Sequence, residues 1–229
     1  MANAATRNVF VMGFTGKTGK AVVDTLAKDT DFGRIKLLGR RQVETSVKED
    51  SRFEQYVVNY DKIEDHTDAF SGCEAGICCM GGSGGRSMPD DQYIKINLDY
   101  VINSAKVAKA AGCRHFLMVS ATDSDKKSRV TYRRTKGIME EQLQELGFER
   151  LTIVKPGYIS GPRETTRFLD VATGVVFFPL IKLFPTKYSV PAASIALAMI
   201  NCIKMAEHPS VKILENKDIH TVAKETKEP

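Results

Sequence analysis

The chain has 229 residues, 42% hydrophobic and 27% charged, with a formal net charge of +5 at pH 7. At roughly 150 residues per domain that is one large domain, or one with an appended lobe, long enough to bury about 70% of its unfolded surface without disulfides or a metal. The composition excludes disorder and fibrous repeats, and basic residues spread along the chain suit an anionic small molecule better than a nucleic-acid groove.

Residues 1–8 lack the apolar core of a secretory leader. The run Asn8–Met12 predicts a buried strand, followed at once by glycines and by the helical spacing of Val22, Val23, Leu26 and Ala27. Between them lies Gly13-Phe-Thr-Gly16-Lys-Thr-Gly19, a G-x-x-G-x-x-G loop. Glycine there permits a tight turn and a close backbone approach, so that the helix N-terminus faces a pyrophosphate. Gly16-Lys17-Thr18 imitates the end of a nucleoside-triphosphate P-loop, but that motif needs a glycine where Val11 stands inside the strand.

A second strand is expected at Ile35–Leu38, and the residues just after it decide the type of dinucleotide. An NAD site places an acid there for the ribose hydroxyls; an NADP site places cations for the 2′-phosphate. Gly39 is followed by Arg40 and Arg41, with no acid until Glu44. The guanidinium fork suits phosphate, so NADP(H) is the expected cofactor.

Further strands are expected at Tyr56–Val58, Gly76–Met80, Phe116–Val119 and Leu151–Val154. Helical spacing separates them at Leu98, Val101, Ile102, Ala105 and Ala108, and again at Met139, Leu143 and Leu146. Strands alternating with helices predict an α/β fold, a doubly wound parallel Rossmann sheet of order 3-2-1-4-5-6, with ligands at the strands' carboxyl ends. The glycines beginning at Gly81, just past Met80, would let the backbone pass close to the cofactor. The vicinal Cys78 and Cys79 fall in a buried strand pattern and are read as core.

After the fifth strand comes Ser120, then Tyr132-Arg-Arg-Thr-Lys136. A phenol and an ammonium at i, i+4 share one helix face. A neighbouring cation favours phenolate, which would move the tyrosine from a pKa of about 10 towards the range of a general acid or base. Composition alone gives about 0.6 chance matches to this spacing, so the position after a strand end carries the weight. Ser120 would hold a substrate oxygen while Tyr132 moves the proton.

From residue 157 the pattern changes to Pro, Gly, Phe and Arg, then a helix with Ile195, Met199, Ile200 and Ile203 on one face. The expectation is a single NAD(P)-binding domain in which residues 157–229 contribute a small C-terminal substrate lobe. The apolar stretch Val171–Phe184 is interrupted by Gly174, Pro179 and Lys182 and is too short to span a bilayer. Five cysteines with no C-x-x-C pair point to a reducing compartment, and four scattered histidines offer no metal site. A soluble intracellular protein, cytoplasmic and also nuclear, is expected.

The glycine loop, the double arginine, the strand-end serine and Y-x-x-x-K in this order resemble the atypical short-chain dehydrogenase/reductases, and within them the Tat-interactive protein (oxidoreductase HTATIP2-like) family. The likeness covers nearly the whole chain, through Leu38-Gly-Arg-Arg41, Cys78-Cys79, Asp99-Tyr-Val101, Pro156-Gly157, Ser189-Val-Pro191 and Leu214-Glu-Asn-Lys217. It implies a Rossmann fold with bound NADPH. It also implies that Thr15, Gly16, Lys17 and Thr18 meet the phosphates, that Arg40 and Arg41 take the 2′-phosphate, and that Met80 and Gly81 flank the adenosine. Tyr132 would exchange the proton, Lys136 would bind the nicotinamide ribose, and Ile159 and Arg167 would touch the cofactor. The family shows paired serines where this chain has Ser120-Ala121. Its longer N-terminal extension, implicated in partner contacts, is largely absent. The expected activity is NADPH-dependent oxidoreduction of a carbonyl or alcohol. The alternative is an NADPH-binding regulatory protein that reports redox state to a nuclear-transport or transcription partner.

Overall fold

A computed structural model describes residues 6–81, 88–160 and 189–225. Strands β1 (Arg7–Met12), β2 (Phe32–Gly39), β3 (Phe53–Val57), β4 (Ala75–Cys78), β5 (His115–Val119), β6 (Arg150–Lys155) and β9 (Val211–Glu215) form one sheet in the order β3-β2-β1-β4-β5-β6-β9. Every neighbouring pair is parallel. The six expected strands stand in their expected order. The strand β9 adds a seventh at the edge. Its Ile213 is exposed and Lys212 and Glu215 face water, so the run reads as polar although Leu214 is buried.

Parallel strands are covered on both faces and must bury both sets of alternating side chains. In β1, Val9 and Val11 join one apolar cluster while Phe10 and Met12 join the other. The first cluster is closed by α1 (Lys17–Ala27) and α5 (Ala192–Lys204), with Val22, Val23 and Leu26 packed in it alongside Ile195, Met199 and Ile200. The second is closed by α3 (Tyr100–Ala110) and α4 (Thr131–Glu145), with Val101, Ala105, Met139 and Leu143 inside. Each fully buried aliphatic side chain in such a layer contributes roughly 1.5–3 kcal/mol of transfer free energy.

The described part of the C-terminal third is thus built into the main body. The helix α5 lies against α1, and α6 (Asn216–Val222) follows β9 directly. The short strands β7 (Tyr158–Ser160) and β8 (Ser189–Pro191) pair in parallel as a separate two-stranded ribbon. Asn216 ties together the starts of its two strands: its Oδ1 accepts from Gly157 N at 2.8 Å and its Nδ2 donates to Ser189 O at 3.2 Å. Among the described residues no helix is long and apolar enough to cross a membrane.

Candidate functional site

The turn from β1 into α1 is built from close backbone contact. Gly13 has φ +72°, a left-handed conformation natural to glycine, and a Cβ on it would come within 2.7 Å of the Cys79 carbonyl and Met80 nitrogen beyond β4. A Cβ on Gly19 would lie 2.2 Å from Gly13 O. The loop therefore folds onto its own helix and onto the end of β4. Gly16 is the N-cap of α1 in extended conformation and offers no side-chain cap, and the first turn holds no acid. Its early N–H groups and the positive end of the helix dipole are available to an anion. Thr15 and Gly16 are exposed, Lys17 is half-buried and Thr18 is buried.

The second strand ends beside this loop. The Phe14 ring lies so close to Gly39 that a Cβ there would be 2.9 Å from Cε1. Arg40 and Arg41 follow, both exposed. Among the described residues neither side chain makes a hydrogen bond or an ion pair. Lys17 reaches the opposite way, donating from Nζ to Ile159 O at 3.0 Å, so the glycine loop and the β7–β8 ribbon meet. Arg167 lies outside the described residues.

The third group of residues converges on Lys136. This side chain is 3% exposed, and its Nζ donates to Val119 O at 3.3 Å. Gly81, with φ +146°, passes so close that an added Cβ would be 3.1 Å from both Lys136 Nζ and Asn97 Oδ1. Burial pulls the ammonium down to about 8, against raising effects from Cys78 and Glu140. Tyr132, one turn earlier on α4, is raised above the usual phenol value by burial and then by Asp123. The expected lowering by Lys136 is therefore corrected: desolvation of the phenol raises it, and Lys136 is not among the groups that shift it.

Ser120, expected to orient a substrate oxygen, is engaged elsewhere. Its hydroxyl donates to Glu140 Oε1, which also accepts from Ser124 Oγ at 2.5 Å, while Lys155 Nζ pairs with Glu140 Oε2 at 3.4 Å. Ala121 comes next and carries no hydroxyl. A carboxylate 9% exposed needs these donors, and they hold it in a polar knot between β5, α4 and β6.

Sequence reasoning missed Asn97 and Tyr93. Both lie on the stretch where α2 (Asp90–Ile94) runs into α3 through a widened turn, Lys95–Asp99, with π-helical bonding. Asn97 is fully buried, and its Nδ2 donates to Tyr93 O at 3.0 Å. Such bulges recur at functional sites because they re-aim side chains. The available signal was Tyr93-x-x-x-Asn97, an i, i+4 pair like Tyr132 and Lys136. Two open surface clefts, of 350 and 480 Å³, are lined by residues such as Lys95 and Tyr100 or Lys126 and Glu145, and neither includes the glycine loop.

A parallel sheet with this strand order binds a dinucleotide across the carboxyl ends of its central strands. Known proteins agree on the class, an NAD(P)H-binding protein with a nicotinamide dinucleotide cofactor. A family model described as NAD(P)H-binding matches residues 13–206. Rat protein HTATIP2 is 31% identical over 223 residues, covering 97% of this chain and 92% of its own. This chain belongs to that NAD(P)H-binding family, together with HTATIP2. The mitochondrial protein FMP52 of Eremothecium gossypii is 32% identical over 158 residues, 69% of each chain. Among solved structures, MoeE5 in complex with UDP-glucuronic acid and NAD shares the fold at TM-score 0.71 and 12% identity, covering 91% of this chain and 75% of that one.

The fungal relatives correct one expectation. Several are named as mitochondrial proteins, which conflicts with a cytoplasmic and nuclear location. The reason is physical: a missing apolar leader argues only against export, whereas mitochondrial addresses are amphipathic and arginine-rich.

Proposed function

We propose that this protein is an NADPH-dependent oxidoreductase that interconverts a carbonyl and an alcohol, with Tyr132 as the proton donor or acceptor. The observation that carries it is the meeting of Gly81, Asn97 and Lys136 Nζ within one contact shell, one helical turn from Tyr132. It brings the loop after β4, which flanks the cofactor in this fold, against the tyrosine–lysine helix.

The residues fit a dinucleotide on three grounds. The backbone cradle at Gly13 and Gly19 has no room for a Cβ, the N-terminus of α1 lacks a side-chain cap, and among the described residues the Arg40 and Arg41 guanidinium groups have no hydrogen-bond or ion-pair partner. The backbone N–H groups of Lys17 and Thr18, at the first turn of α1, would meet the pyrophosphate, and the two arginines the 2′-phosphate. The bound cofactor supplies or accepts the hydride. In reduction, the Tyr132 O–H breaks as its proton passes to the substrate oxygen, and solvent reprotonates the phenol; oxidation reverses this. Lys136, still cationic near neutral pH, would hold the ribose. Val119 O fixes its direction.

The test is stoichiometric NADPH binding together with substrate-dependent loss of reduced-nicotinamide absorbance across a panel of aldehydes and ketones. A second reading has one specific observation behind it. With the Ser120 hydroxyl committed to Glu140 and Ala121 following, the substrate oxygen lacks its expected serine donor. Tight NADPH binding without turnover on any panel member would favour a nucleotide-binding regulatory protein.

A further inference from the structure

Tyr93 has a polar group that the fold leaves unused. The residue is 4% exposed, and among the described residues its buried hydroxyl has no hydrogen-bond partner. Unpaired interior hydroxyls are rare in native proteins, and a catalytic role is one of the accepted reasons for keeping one. The other such group, Ser104 Oγ, sits within α3 and has no comparable neighbour in the site.

The surroundings of Tyr93 point to a use. Its ring packs on that of Tyr132 with centroids 6.2 Å apart and planes at 47°. Its backbone carbonyl is held by Asn97, the residue that stands with Lys136 beside Gly81. The widened helical turn thus fixes Tyr93 and the Lys136 neighbourhood together. Meanwhile Tyr132 is poorly provided for as an anion. The titratable and charged groups around it are Lys136 on its own helix, Asp123 before that helix, and Tyr93 and Asp90 on the facing one, where Thr131 Oγ1 donates to Asp90. Asp123 opposes a phenolate, although it is itself paired with Arg133 at 3.0 Å. Lys136 is turned to Val119 O, and the serine hydroxyl is spent on Glu140.

We infer that Tyr93 is a positioning residue for Tyr132: its hydroxyl donates a hydrogen bond to the Tyr132 oxygen once that oxygen has released its proton. This deepens the oxidoreductase reading above and rests on it. When the Tyr132 O–H breaks and the product O–H forms, the phenolate left behind accepts from Tyr93, which keeps its own proton throughout. The donor that idles in the resting protein becomes paired in the charged state, where hydrogen bonds are strongest.

The experiment uses the full chain and Tyr93→Phe, which keeps the ring and deletes the hydroxyl. Thermal unfolding of the unliganded variant should occur at the same temperature or higher, because the deleted group had no partner. Next, 3,5-difluorotyrosine is placed at position 132 with and without Tyr93→Phe, and its ionisation is followed by ultraviolet absorbance. Tyr93→Phe should raise the midpoint by about one pH unit, the size expected for losing a hydrogen bond to a charged group. An unchanged midpoint, or a large fall in unfolding temperature, would overturn the inference. The titration needs no turnover. A shifted midpoint in a protein inert on the carbonyl panel would sink the proposed function and leave the tyrosine pairing standing; an unshifted midpoint in an active enzyme would remove only Tyr93.

Discussion

Replacing Arg40 and Arg41 together by alanine is the sharpest probe of cofactor choice. Both side chains are exposed and make no ion pair or hydrogen bond among the described residues, so the unliganded fold should barely notice. Surface changes of this kind usually stay within about 0.5 kcal/mol. The effect should fall on the 2′-phosphate alone. Charge-assisted hydrogen bonds contribute about 1.5–3 kcal/mol each, and solvent screening at an exposed strand end favours the lower figure. Two such losses come to about 3 kcal/mol, or roughly 100-fold in the NADPH dissociation constant. NADH carries no 2′-phosphate, so its affinity should change by no more than about threefold, a half-decade that weak long-range attraction can supply. Calorimetric titration of both cofactors into both proteins measures this, and the NADPH difference should shrink at high salt. Equal losses for NADPH and NADH would refute the assignment of these arginines.

Three further outcomes are expected. Gly19→Ala pushes a methyl into Gly13 O and the Phe14 backbone, so it should cost roughly 1–3 kcal/mol in denaturant unfolding and weaken NADPH binding; wild-type stability would show that the loop relaxes freely. Tyr132→Phe should leave NADPH affinity nearly unchanged while lowering any turnover by about 10²–10⁴-fold, and undiminished turnover would remove Tyr132 from the mechanism. Lys136 has a folded pKa of about 8 against an ordinary 10.5, so between these values the unfolded chain binds more protons and stability rises with pH. Lys136→Met should abolish that rise, on the order of 3 kcal/mol across the window, when unfolding curves of the two proteins are compared from neutral to alkaline pH.

Six of the seven strands of the sheet, and their order, were legible in the sequence alone. Alternation within Asn8–Met12 and the helical spacing of Val22, Val23 and Leu26 are local records of which faces must be dry, and local periodicity survives any tertiary detail. The Gly13–Gly19 loop, Arg40-Arg41 and Tyr132-x-x-x-Lys136 were legible for the same reason: each is a short motif attached to a strand end. The tertiary structure decided what these side chains touch. Only the packing of β5, α4 and β6 shows Ser120 donating to Glu140 rather than facing Tyr132. Likewise, only the depth of α4 shows burial raising the Tyr132 phenol. Desolvation and hydrogen-bond competition depend on residues distant in sequence, so spacing along the chain carries no record of them. The same holds for β9, whose polar exposed face hid its place at the sheet edge until Leu151–Lys155 of β6 supplied a partner. Tyr93 and Asn97 escaped notice because it is tertiary contact, across a helical turn widened at Lys95–Asp99, that sets Tyr93 on Tyr132 and Asn97 beside Gly81 and Lys136.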